Sequence, residues 1–107
     1  MEDKTEALSK IHHIAIPVAN IDDSVHWYTS SFECELCFSS ATKAVLQFAN
    51  IKLTLVLPSQ ERMHVAFERT DAGTLGELRE YDEGIKSTFI ADPSGNPVEI
   101  VQMRAAV

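Results

Sequence analysis

Three polar residues, His13, His64 and Glu99, each lie in a short run of alternating apolar residues and fall on its minority parity. In a strand, successive side chains point to opposite faces, so residues of one parity share a face. In 11–18 the apolar set is Ile14, Ile16 and Val18, which puts His13 on the other face with Ala15. In 63–69 the apolar pair is Val65 and Phe67, and His64 projects away with Ala66 and Glu68. In 97–103 Val98 and Ile100 pair, and Glu99 projects away with Val101. Two imidazoles and one carboxylate on one sheet face form a facial triad for a divalent metal, with coordination positions left open for substrate, water or oxygen. With a dication the site is net positive and attracts an anionic or enolisable ligand. The small neighbours Ala15 and Ala66 leave room for it. The long separations between the three make no local motif. Parity alone therefore leaves two readings open, a metal triad or three polar residues on a solvated face.

Other groups carry weaker signals. Glu68 shares the parity of His64 and is the candidate general base, its alternative being a surface ion pair. Lys52, Gln47 and Arg69 are candidates for holding a substrate anion. His12 shares the parity of Ile14 and reads as a strand-end or partly buried residue rather than a ligand. Cys34 and Cys37 have CxxC spacing, but on a strand their thiols face opposite ways and no helix N-terminus follows, so they read as structural. No phosphate-binding glycine loop, Ser–His–Asp arrangement or Cys–His pair is present.

The elements that position these residues come in two similar rounds. The strand at 11–18 is followed by a helix start at Asn20-Ile21-Asp22-Asp23, a capping side chain with acids in the first turn. Ile21, Val25, Tyr28 and Phe32 then recur at helical spacing. Three strands are expected near 34–40, 44–50 and 51–58, with Asn50 in a left-handed turn. The second round begins with the strand at 63–69. A helix is expected over 72–83, weakened by Gly73 and Gly76 and ended by Gly84. Strands at 86–91 and 97–103 flank Asp92-Pro93-Ser94-Gly95-Asn96, strong hairpin-turn chemistry.

Composition sets the limits. The chain has 107 residues and a formal net charge of −7. Its length fits one domain, expected over 10–107 after a disordered tail at 1–9, with module one at 11–58 and module two at 63–103. The acidic balance and the lack of a basic cluster argue against nucleic acid and against an anionic membrane surface. No apolar run spans a bilayer. The polar, acidic N-terminus does not read as a signal peptide, which gives the expectation of a cytoplasmic protein.

The segments His13-Ile14-Ala15-Ile16-Pro17-Val18-Ala19-Asn20-Ile21 with Trp27-Tyr28, His64-Val65-Ala66-Phe67-Glu68, and Asp92-Pro93-Ser94-Gly95-Asn96-Pro97-Val98-Glu99-Ile100 resemble the vicinal oxygen chelate superfamily, the glyoxalase, bleomycin-resistance and extradiol dioxygenase group. The resemblance runs from Ile11 to Gln102. It implies an α+β fold of two βαβββ modules, forming a curved mixed sheet around a metal cleft. It implies a divalent ion (Fe2+, Mn2+, Zn2+ or Ni2+) held by His13, His64 and Glu99, the same three that parity selects. The position of a fourth ligand in the superfamily's lyases and epimerases is matched by Thr54, or by Lys52 in the other register. Neither suits a divalent metal, so both are expected at the substrate, and the three-ligand arrangement of extradiol-type enzymes is favoured. The implied function is a metal-dependent dioxygenase or lyase/isomerase acting on a small substrate chelated through adjacent oxygens. The alternative is a non-catalytic drug-sequestering protein. The second module is short, so one cleft wall is expected to be reduced or completed by a partner in a homodimer.

Overall fold

The computed structural model describes residues 7–81 and 84–104. Residues 1–6 of the expected tail, 82–83 of the expected second helix, and 105–107 at the end of the expected domain lie outside the described residues.

Module one contains β1 (Ile11–Pro17), α1 (Ile21–Ser31), β2 (Glu35–Ser39), β3 (Lys43–Gln47) and β4 (Lys52–Val56). Module two contains β5 (His64–Arg69), the two-residue β6 (Arg79–Glu80), β7 (Lys86–Ala91) and β8 (Pro97–Gln102). They form one mixed sheet in the order β2-β3-β4-β1-β5-β8-β7-β6. In each module the first strand pairs parallel with the last (β1 with β4, β5 with β8), and the modules join through the antiparallel β1–β5 pair.

Local chemistry explains the helix. The Asn20 side chain accepts a hydrogen bond from the Asp23 N–H at 2.8 Å, satisfying one of the free donors of the first turn. Asp22 and Asp23 then face the positive end of the helix dipole. Ile21, Val25 and Tyr28 pack on the outer sheet face against Ala44, Leu46, Leu53 and Leu55. Full burial of Leu46 and Leu55 contributes about 1.5–3 kcal/mol each.

The helix expected over 72–83 does not form over its described residues, 72–81. The segment holds a single 3-10 turn at Ala72–Thr74 and then β6. Two glycines cost a helix about 1 kcal/mol each relative to alanine. Packing decides further: a Cβ on Gly76 would lie 2.4 Å from the Thr88 hydroxyl oxygen, so this backbone sits against β7 where a side chain would not fit. Gly84, with φ of +77°, therefore turns the chain between β6 and β7 rather than ending a helix. The β3–β4 turn also differs from expectation. The Phe48 N–H donates to the Ile51 carbonyl at 2.9 Å. Among the described residues only Gly84 and Gly95 have positive φ, so Asn50 turns the chain without a left-handed conformation. The 92–96 hairpin turn is as expected: Asp92 accepts from the backbone N–H of Ser94 and of Asn96, and Gly95 has φ of +84°.

Candidate metal centre

The register brings the inner face together. His13 lies opposite Ala66 across β1–β5, and Ala66 lies opposite Glu99 across β5–β8. His64 lies opposite Ala15. Each histidine is thus flanked by an alanine of 0% exposure, which leaves the rings free to lean towards Glu99. His13, His64 and Glu99 are buried, with 9%, 4% and 5% exposure.

The Nε2 atoms of His13 and His64 lie 3.0 and 2.9 Å from the same carboxylate oxygen, Oε1 of Glu99. One ligand atom from each of the three residues falls within 4.8 Å of the others. The far side of each ring is also held. His64 Nδ1 donates to the Arg62 carbonyl at 2.8 Å, and His13 Nδ1 lies 2.8 Å from His12 Nδ1. The second oxygen of Glu99, Oε2, accepts from the Ser87 hydroxyl at 2.7 Å. The Phe89 and His64 rings pack T-shaped with centroids 5.0 Å apart.

These bonds fix protonation. Arg62 offers only a carbonyl and Glu99 only acceptor oxygens, so His64 carries protons on both nitrogens when it bonds to both. Burial lowers the affinity of His64 for its second proton, but the bonds to Glu99 and the Arg62 carbonyl outweigh it and the pKa is raised. Burial likewise opposes ionisation of Glu99, but the bonds from His13, His64 and Ser87 outweigh it and hold the carboxyl well below the usual range. The cluster is a buried ion pair around one oxygen.

The donor set fits a divalent cation. Ligands about 2.1 Å from a metal and 90° apart are separated by about 3 Å, the spacing found between Oε1 and each Nε2. The outward Nδ1 contacts orient both rings with Nε2 towards the carboxylate, the outer support that metal-binding histidines require.

A cavity of about 20 Å³ opens beside the triad, lined by His13, Glu99, Lys43, Lys52, Thr54, Glu61 and Tyr81 among others. It has room for about one water. A more open cleft of about 560 Å³ adjoins it, sharing Glu61 and Tyr81 and reaching His64. Lys52 and Thr54 thus stand beside the triad. Gln47 shares their sheet face but lines neither cavity, and its amide donates to the Phe48 carbonyl at 2.5 Å. Glu68 lies opposite Val101, towards the other end of β5, in a separate groove with Arg69 and Asp71. Arg69 is paired with Asp71 in that groove. The acid beside the triad is Glu61, on the β4–β5 connection. Burial, reinforced by Glu99 and opposed by His64, raises its pKa.

Sequence reasoning missed Ser87, Glu61, Tyr81 and the role of His12. Ser87 was within reach of the parity rule, since it shares a face of β7 with Phe89, which lies opposite Glu99. His12 lies near the start of β1 and is partly buried, as expected, but its contact with His13 was not legible, because a register irregularity between Ile11 and His13 interrupts the alternation of β1 there. Glu61 and Tyr81 lie outside strands, where no periodicity assigns a face.

No family model matches the sequence, and no curated protein matches it significantly. Solved structures do match. Hypothetical protein BH1468 of Bacillus halodurans C-125 aligns with a TM-score of 0.71 at 19% identity, over 92% of this chain and 97% of that one. Methylmalonyl-CoA epimerase of Mycobacterium tuberculosis aligns with a TM-score of 0.71 at 18% identity, over 91% of this chain and 89% of that one. An NAD-dependent benzaldehyde dehydrogenase of Legionella pneumophila aligns with a TM-score of 0.64 at 14% identity, over 83% and 96%. Identities this low establish a shared fold, and a fold does not fix a reaction.

Proposed function

We propose that this chain, whose fold is that of the vicinal oxygen chelate superfamily, is a divalent-metal-dependent enzyme acting on a small substrate chelated through two adjacent oxygens. The observation that carries the reading is the convergence of two Nε2 atoms on one oxygen of Glu99, with both Nδ1 atoms already engaged. His13, His64 and Glu99 would hold Fe2+, Mn2+, Zn2+ or Ni2+. Held there, a divalent ion would supply Lewis acidity favouring the enolate or catecholate form of a chelated substrate, or redox chemistry with oxygen.

The chain's own groups have separate tasks. Ser87 holds Oε2 of Glu99 and leaves Oε1 to face the histidines. Lys52 and Thr54 line the inner cavity and contact the chelating end of the substrate. Glu61 is the group that takes or gives a proton there, because burial raises its pKa. Three protein ligands, with Thr54 at the fourth position, favour extradiol-dioxygenase-like chemistry over a lyase or isomerase. The reading takes the protein to act in the cytoplasm as a homodimer.

The test has two arms, oxygen uptake with catechols after Fe2+ loading, and solvent deuterium exchange into 2-oxo acids after Mn2+, Zn2+ or Ni2+ loading. Turnover in either arm that disappears in Glu99→Gln supports the proposal. Failure of both arms, with tight binding of bleomycin to metal-free protein, would replace it with drug sequestration.

A further inference from the structure

The protein is acidic overall, but the surroundings of the triad are not. Four of its nine Lys and Arg residues line the two adjoining cavities: Lys43 and Lys52 the inner one, Arg62 and Arg79 the outer. Apart from Glu99 itself, Glu61 is the one acid lining them among the described residues, and it stands where the cavities meet. Local charge therefore opposes the net charge of −7, and a cleft lined this way concentrates anions despite the repulsion of the whole molecule.

The two arginines are the informative part. Elsewhere the chain pairs an arginine when a carboxylate is near: Arg69 forms two hydrogen bonds to Asp71, at 2.6 and 2.9 Å. Neither the Arg62 nor the Arg79 guanidinium forms an ion pair with a carboxylate among the described residues. A guanidinium presents a planar fork that matches carboxylate and phosphate oxygens. The outer cleft, at about 560 Å³, has the size of a small-ligand site, and Phe89 and Pro97 give it an apolar wall. The backbone carbonyl of Arg62 holds His64 Nδ1, so this arginine is anchored directly beside the triad.

The geometry points to a substrate with two ends: adjacent oxygens that chelate the metal at His13, His64 and Glu99, and a second oxyanion, carboxylate or phosphate, held by Arg62 and Arg79 in the outer cleft. This rests on the metal-dependent reading above and narrows its substrate class. A neutral catechol or a simple 2-oxo acid offers the two arginines of the outer cleft no second oxyanion. The carbon chain between the two ends lies along Phe89 and Pro97, and Glu61 faces its middle.

Matched probes test this by calorimetry on the full chain. Mn2+ alone is titrated first. On Mn2+-loaded protein, 2-oxoglutarate is compared with 2-oxobutyrate, which has the same chelating end and no second carboxylate. The expected result is about tenfold or more tighter binding of 2-oxoglutarate. That preference should fall several-fold in Arg62→Gln/Arg79→Gln, while 2-oxobutyrate and Mn2+ affinities stay unchanged. A phosphonate in place of the distal carboxylate tells which oxyanion is preferred. Equal binding of the two probes, or a preference that survives in the double variant, overturns the inference. If no Mn2+ binds, the metal reading itself fails. The anion claim is then read separately from succinate against butyrate on metal-free protein, with arginine-dependent preference for succinate supporting it and its absence overturning it.

Discussion

His13 and Glu99 stand on strands that do not pair, yet their Nε2 and Oε1 atoms are 3.0 Å apart. β5 runs between them, and the residue it places in that row is Ala66, fully buried. Two strand spacings amount to about 9.6 Å. Two long side chains close that distance only because the residue between them ends at Cβ. The site depends on an alanine as much as on its polar groups.

Ala66→Leu should therefore destroy the centre without removing any of its members. Affinity for Mn2+ is expected to fall by more than about 100-fold, at an overpacking cost of about 1–3 kcal/mol. Metal titration and thermal melting of the same sample separate the two effects. Unchanged metal affinity would show that the ring and the carboxylate do not meet over Ala66.

His12 should act on the metal through His13. When His12 Nδ1 accepts across their 2.8 Å contact, the proton of neutral His13 sits on Nδ1 and Nε2 is left for the ion. His12→Leu is expected to weaken metal binding by about 10–100-fold. His12→Asn, which returns an acceptor near the same place, should recover most of the loss. Nitrogen-15 NMR of the His13 ring reports the tautomer directly. A Leu variant that binds metal as well as the original would remove His12 from the account.

The metal-free protein should be most stable between the ordinary carboxylate and imidazole ranges. The pKa of Glu99 is depressed: burial opposes this, but its three hydrogen bonds outweigh burial. Its contribution is present above the ordinary value of about 4.3 and is lost as pH falls through the folded value. The pKa of His64 is raised against burial by its bonds to Glu99 and the Arg62 carbonyl. Its contribution is complete below the ordinary value of about 6.5 and is lost as pH rises through the folded value. The melting temperature should thus decline towards alkaline pH, and Mn2+ should restore it there, because deprotonated imidazoles are the ligands. A flat profile from pH 6 to 9 would contradict the ion pair.

Gly76→Ala should destabilise the protein by about 1–3 kcal/mol through the clash with Thr88. Gly73→Ala, whose nearest neighbour is Leu78 at 3.6 Å, should be tolerated. Chemical denaturation of the two variants checks the contrast. Equal effects would mean that the close approach of Gly76 to Thr88 does not constrain the fold.

Particular residues explain what the sequence made legible. Alternation of Ile14, Ile16 and Val18 revealed the face of His13, because one side of β1 is apolar and the other is not. Asn20 and the two following aspartates announced α1, because capping is local chemistry. The segment 72–83 misled, since Leu75, Leu78 and Tyr81 share a helical spacing while Gly76 packs against β7, a contact made only in the folded chain. Glu68 is legible as a candidate because parity gives its face, but parity does not give its distance along β5 from the triad, and for Glu61, on a connecting segment, it gives neither.

The central claim is that His13, His64 and Glu99 hold one divalent ion. Elemental analysis of protein purified without chelator, beside His64→Ala and Glu99→Gln, tests it most directly. The account predicts close to one metal per chain in the original protein and essentially none in either variant, with circular dichroism unchanged. Metal absent from all three folded samples, and not taken up when Fe2+, Mn2+, Zn2+ or Ni2+ is supplied, would contradict it.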